Sequence, residues 1–329
     1  MSDPSASPQS QPPRKRPSRF WLFAPYIALL VAVLAWSAVW QVEKWRLQGA
    51  LPKQAAALQK QGYTAQWSSL KIDGYPFRLR VTMIGPQLAD SAGWGVSATR
   101  MEAMALAYAP DRWVLAAPEG LIVTRPGQGA ITVSGKAIRA SVGGLGTAQP
   151  RFSFEGDAVT LTPAPGAAPP AFGAADKLEA HLQPGPNDQA ALLLRIDGAQ
   201  LRPETGLAKL AAGKPFDLLW DSRLTRFSAL RGSNWPGALQ AWRNAGGLVT
   251  VADAKLGLAG VTLEGQGGPI TVDTDGRLKG ELPLKLQGGE GSAKALLQAI
   301  GLLGAVPLRF QDGHAAIGPM PVGQALKIG

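Results

Sequence analysis

The chain offers few residues able to make or break bonds. It holds two histidines, His181 and His314, and no cysteine. Catalytic zinc takes three protein ligands, commonly histidine-rich, and no HExxH motif is present. The absence of cysteine removes thiolate zinc sites, a cysteine nucleophile and any disulfide framework. A Ser-His-Asp triad would have to use one of the two isolated histidines, and no G-x-S-x-G elbow precedes a helix. His181 alternates outward on a strand pattern and His314 follows an Asp-Gly turn, so both read as surface or loop residues. The glycine clusters Gly143-Gly144-Leu145-Gly146 and Gly265-Gln266-Gly267-Gly268 fit neither a Walker loop nor a dinucleotide fingerprint, and read as turns or bulges. Asp217 and Asp221 are a sparse carboxylate pair, whereas glycoside hydrolysis needs two carboxylates at a set separation across a groove. The residues therefore assign no catalytic, metal or cofactor-binding role, and ligand-binding residues stay unassigned. The chain reads as a non-enzyme without cofactors.

What must position any site begins with one uninterrupted apolar run, Phe20 to Trp40, without a charged residue. At 1.5 Å rise per residue it spans about 31 Å, close to the thickness of a hydrocarbon core. Arg14, Lys15, Arg16 and Arg19 precede it, so the positive-inside rule keeps residues 1–19 in the cytoplasm. Trp21 and Tyr26 at one end, with Trp40 and Trp45 at the other, match interfacial aromatic belts. Pro25 is placed in the first helical turn, where its missing N–H matters least. A cleaved signal peptide is the rival, but its apolar core is shorter and ends in small residues, not in Trp36-Ser37-Ala38-Val39-Trp40. The reading is an uncleaved signal anchor over 20–41 after a disordered basic tail, 1–19. A juxtamembrane helical segment, 42–62, follows, interrupted or restarted at Pro52 and stopped by Gly62. The remainder, 63–329, is a periplasmic domain, and the protein a single-pass inner-membrane protein with a cytoplasmic N-terminus.

Composition narrows that domain. Net charge is +10, with Lys and Arg scattered beyond the tail and no basic stripe interleaved with aromatics, so nucleic acid is not a partner. The 40 glycines and 27 prolines suit short strands joined by tight turns.

After Tyr63 the pattern turns to period two. In Phe77-Arg78-Leu79-Arg80-Val81-Thr82-Met83 the apolar residues alternate with polar ones, as in a half-buried strand. Pro76 is placed at the strand start and Phe77 inward. The same alternation marks Phe152–Phe154, Val159–Leu161, Leu178–Leu182, Leu192–Ile196, Val249–Val251, Val261–Leu263, Ile270–Val272 and Leu282–Leu286. Asp275-Gly276 suits a type I′ hairpin, and Asp73-Gly74, Asp197-Gly198 and Asp312-Gly313 recur in comparable settings. The Ala-Pro-Gly-rich stretch 162–175 is a linker between two lobes or an insertion within one sheet. Two later segments read as helices. Asn234–Asn244 has Pro236 near its start and Gly246-Gly247 as its stop. The other is capped by Ser292, with Leu296, Leu297, Ile300 and Leu303 inward. The fold class is mainly β: an N-terminal transmembrane helix, then a large antiparallel sheet (extended and curved, a sandwich, or an open barrel) with two or three short helices.

Two stretches carry a known pattern. One is Leu70-Lys-Ile-Asp-Gly-Tyr-Pro-Phe-Arg-Leu-Arg-Val. The other runs from Trp242-Arg-Asn-Ala-Gly-Gly through Asp275-Gly-Arg-Leu-Lys-Gly-Glu-Leu to Asp312-Gly-His-Ala-Ala-Ile-Gly-Pro-Met-Pro-Val-Gly. With the anchor, they resemble the proteobacterial envelope family DUF2125 over most of 20–325. The resemblance implies a single-pass protein with a periplasmic β-rich domain and carries over no catalytic residues. The C-terminal cadence of strand, Asp-Gly, strand, helix and strand is also similar to AsmA-like envelope proteins. That similarity implies curved sheets with an apolar concave face that move or organise lipids.

A one-sided apolar sheet must be covered by helices, another sheet or a ligand. The expectation is a membrane-anchored module that binds an apolar ligand such as lipid or a lipoprotein segment, or organises the cell envelope. Leu284 and Leu286 would face its groove. A closed, dry core is the structural alternative. An adaptor recruiting an envelope partner and a hydrolase are the functional ones.

Overall fold

The computed structural model describes residues 20–144, 147, 150–203, 208, 211, 213–232, 234–287 and 305–325. The proposed helix around Ser292–Leu303 lies outside the described residues.

The N-terminal helix, α1 (Phe20–Lys60), is one continuous element with Pro25 and Pro52 inside it. Pro52 therefore does not interrupt the chain, and Pro25 sits beyond the first turn. Packing holds the second half together: Trp36, Trp40, Leu47 and Leu51 pack in one cluster with Ile72, Leu79, Val81 and Trp113 of the sheet. Their spacing keeps one helical face on the sheet. The helix ends at Gly62 as expected. Gly62 has φ +88°. Its N–H donates to Gln59 O (3.0 Å) and that of Tyr63 to Leu58 O (3.0 Å), a Schellman pair.

Among the described residues that follow, the strands form one antiparallel sheet of 20. In the N-terminal half these are β1 (Thr64–Gln66), β2 (Ser69–Asp73), β3 (Arg78–Ile84), β4 (Gln87–Ala89), β5 (Gly95–Ser97), β6 (Arg100–Leu106), β7 (Ala109–Ala116), β8 (Leu121–Arg125), β9 (Gly129–Ser134) and β10 (Arg139–Gly143). The longer strands are β11 (Arg151–Pro163), β12 (Phe172–Gly185), β13 (Gln189–Leu201), β14 (Phe216–Thr225), β15 (Val249–Leu258), β16 (Val261–Val272) and β17 (Leu278–Gln287). β18 (Ala305–Gln311), β19 (His314–Ile317) and β20 (Met320–Gln324) follow. Helix α2 (Trp235–Asn244) lies between β14 and β15.

From β11 to β20 each strand pairs with the next, a plain meander. On its other edge β11 pairs with two strands, β10 near its start and β9 near its end. Two ladders leave it there: β10-β7-β6-β3-β2 and β9-β8-β5-β4-β1. The short strands are thus halves of longer bent ones, broken along a common crease. Hydrogen bonds cross the crease from Ser68 N–H to Ile84 O, Gly85 N–H to Thr99 O, Ala117 N–H to Ile138 O and Lys136 N–H to Asp157 O, at 2.8–3.1 Å. Ala117, Ile138 and Val159 fill its inner angle.

Every alternating segment expected to be a strand is one. Within β4–β10, β4 and β5 are three residues long, too short for a period-two signal, and the buried positions of β6 are alanines, Ala103 and Ala105. The ends of the 162–175 stretch belong to β11 and β12, which pair directly along most of their length, and only residues 164–171 connect them.

The turn chemistry differs in detail. Asp312-Gly313 has φ of +51° and +76°, the two-residue I′ geometry. At Asp275-Gly276 only the glycine has positive φ. There the Asp273 carboxylate accepts the N–H groups of Asp275 and Arg277 (both 2.9 Å), making a longer Asx turn. Asp197-Gly198 is a bulge inside β13, not a hairpin. Gly265–Gly268 is a bulge, as expected. The register slips between Gly265 and Ile270, and a Cβ on Gly268 would lie 2.2 Å from Glu281 O.

Gly74–Phe77 forms the β2–β3 turn instead of opening a strand, with Arg78 N–H donating to Gly74 O (3.0 Å). A Cβ on Gly74 would meet Arg78 O at 2.8 Å, which explains the glycine. Leu79 and Val81 do point into the core, but Phe77 is 63% exposed. The turn rotates it out of the strand's alternation.

Candidate functional site

Among the described residues the histidines and the Asp217–Asp221 pair do not converge on one site. His314 is exposed at the start of β19, and His181 is half-buried on β12. In register, His181 stands opposite Ser153 on one side and Leu193 on the other, and Leu193 stands opposite Asp221. A serine, histidine and aspartate therefore share one row. Leu193 separates the carboxylate from the imidazole by two strand spacings, about 9.6 Å, too far for a triad. Asp217 is occupied by the Gly198 N–H (2.8 Å). Among the described residues no group of three His, Asp or Glu could hold a metal ion. The perturbed groups are structural. Lys177 is held above the usual lysine range by its hydrogen bond to Glu179, Arg195 is raised by Asp197, and burial lowers Arg125. A shallow hollow of ≈ 320 Å³ on β7, β10 and β11 is floored by the Arg139–Glu155 ion pair (2.7 Å).

Leu282 and Leu284 are buried in a packed cluster with Val251, Ile270, Val306 and Ile317, with Leu286 against it. That face is core, and not the open groove expected around Leu284 and Leu286. An apolar surface that stays open lies elsewhere. Leu88, Val96 and Val123 stand in register across β4, β5 and β8. Leu88 and Val96 are 50% and 44% exposed. They line a cleft of ≈ 530 Å³ with Tyr63, Trp94, Trp235, Leu230 and Ala238, and with Arg231 as its basic residue.

The cleft exists because the β14–β15 connection reaches back to the β4–β5 turn. Asn234 caps α2 by accepting the Gly237 N–H (2.8 Å), and its amide donates to Ser91 Oγ (3.3 Å). The Asp90 carboxylate accepts the N–H groups of Ala92 and Trp94 within its own turn (both 2.9 Å) and that of Trp235 across the gap (3.1 Å). A carboxylate at a helix N-terminus is doubly favoured, by the orphan N–H and by the dipole. Ala238, Leu239 and Trp242 are the buried residues of α2, and Trp242 Nε1–H donates to Thr225 O (2.7 Å). The Trp94 Nε1–H, shielded at the cleft wall, meets no acceptor among the described residues.

A second constellation joins the apolar helix α1 to the sheet. Trp36 Nε1–H donates to Pro76 O and Trp40 Nε1–H to Arg78 O, each at 2.8 Å. The Ser37 and Tyr75 hydroxyls are 2.8 Å apart, and Trp40 packs edge-on against Tyr75. These contacts hold the Gly74–Phe77 turn against the end of the apolar run.

A family described as an uncharacterized protein conserved in bacteria, DUF2125, matches residues 40–325. The chain belongs to this family. The match opens at Trp40, the residue on which the helix–sheet joint turns, and runs to the end of the described sheet. No curated protein and no solved structure matches the chain.

Proposed function

We propose that this DUF2125 protein is a non-enzymatic, membrane-anchored module of the cell envelope that holds a lipid acyl chain in the cleft between β4, β5, β8 and the α2 connection. The carrying observation is the in-register row Leu88, Val96 and Val123, left open beneath Trp94 and Trp235. Its ≈ 530 Å³ falls within the ~300–1,000 Å³ of small-molecule sites. Each buried methylene contributes about 0.8 kcal/mol, so an acyl segment needs no charged anchor to bind. Arg231 supplies a cation for a headgroup oxygen at the wall. The apolar helix is long enough to cross a membrane. With the basic residues before it, this supports an inner-membrane anchor with the sheet on the periplasmic side.

Photo-crosslinking tests the reading. Full-length protein in vesicles containing a diazirine-tagged fatty acyl lipid is irradiated and its adducts mapped by mass spectrometry. Adducts on β4, β5 or Trp235, abolished by Val96→Trp while those on 20–40 persist, are expected. Adducts confined to 20–40 would contradict it.

An adaptor role is the second reading. Among the described residues β20 pairs with β19 alone, leaving an edge on which a partner strand could add. Crosslinks from Met320–Gln324 to another envelope protein would favour it.

A further inference from the structure

The sheet meets α1 at a level fixed by hydrogen bonds. Pro76 is bonded to Trp36, four residues before the apolar run ends at Trp40. That places the β2–β3 turn about 6 Å inside the end of a run that matches a hydrocarbon core in length. The polar zone flanking such a core is only roughly 5–8 Å thick. A turn tied to Trp36 therefore cannot stand clear of the lipid in which that helix is embedded.

The residues at this rim agree. Tyr75 and Phe77 on the β2–β3 turn are 50% and 63% exposed, and Tyr108 on the β6–β7 turn is 67% exposed. The two turns are neighbours, since Ala107 N–H donates to Phe77 O (2.9 Å). Large aromatics exposed together on a soluble rim would be costly. At a bilayer interface they are the favoured residue types. Cations lie at the matching height: Lys44 sits 5.6 Å from the Trp40 ring, and Arg78 follows Phe77.

We propose that the rim formed by the β2–β3 and β6–β7 turns is seated in the interfacial zone of the bilayer crossed by α1, with Tyr75, Phe77 and Tyr108 among the headgroups and upper acyl carbons. The sheet is then planted on the membrane, not suspended from it. This inference rests on α1 spanning the bilayer, and the test separates the two. The chain lacks cysteine, so single substitutions Phe77→Cys, Tyr108→Cys, Leu30→Cys and Gln61→Cys each accept one fluorophore. Full-length protein is reconstituted in vesicles carrying lipids with shallow or deep nitroxides. The expected result is strong quenching at positions 77 and 108 by shallow nitroxides, at 30 by deep ones, and background quenching at 61, about 30 Å further along the helix than Trp40. Quenching at 30 without quenching at 77 and 108 would overturn the seated rim and leave the anchor intact. Absence of quenching at 30 would remove the anchor, and the rim with it.

Discussion

Phe77 and Leu79 are two residues apart, and alternation places them on one face. The structure separates them: Leu79 is fully buried, while Phe77 lies on the rim. Leu79→Ala should cost about 2–5 kcal/mol in a denaturant melt. Phe77→Ala should change stability by roughly 0.5 kcal/mol or less. Equal losses would mean that Phe77 is core. The turn was hidden in the sequence because Gly-Tyr-Pro-Phe supports either a strand start or a turn. Gly74's close approach to Arg78 O decides between them, and that contact exists only in three dimensions. Gly268 was more legible, since a cluster of three glycines within four residues of a strand pattern implies a bulge. Gly268→Ala, at φ +60° and against Glu281 O, should destabilise by more than ~1 kcal/mol in the same melt.

The elements expected from period two and from caps were found where the side chains alternate strongly. Asn234, Pro236 and Gly246-Gly247 delimit α2 as local capping chemistry requires, and Gly247 N–H donates to Trp242 O (2.9 Å) in the same Schellman geometry as the end of α1. Asn234→Ala should cost ~1 kcal/mol by thermal melt. Gly49 is the converse case. It is exposed within α1 with nothing within 4 Å of a Cβ, so Gly49→Ala should stabilise by about 0.4–1 kcal/mol. The Pro52 break was misplaced because the apolar stripe Trp36, Trp40, Leu47 and Leu51 binds the sheet on one helical face and outweighs one lost hydrogen bond. β4–β6 were not legible, because β4 and β5 are too short to show a period and alanines at the buried positions of β6 leave little hydrophobic contrast.

At the scale of the whole molecule one helix is long and apolar enough at one end to cross a membrane and packs on the sheet at the other. A sheet creased along one line brings α2 back over β4, β5 and β8. None of that return is local, so the cleft could not be read from the chain. The sequence pointed instead to Leu284 and Leu286, whose apolar alternation is equally strong but serves the core. The basic excess before the run predicts opposite sides for the two ends. In intact spheroplasts a membrane-impermeant maleimide should label Lys136→Cys and spare Ser7→Cys, and the reverse pattern would invert the topology.

Native mass spectrometry of the full-length protein released from lipid nanodiscs reads directly whether the cleft holds an acyl chain. The wild type should carry a lipid-mass adduct that survives activation. Val96→Trp, with the same melting temperature, should lose it. An adduct retained unchanged in Val96→Trp, or absent from both proteins, would mean that the cleft holds no acyl chain.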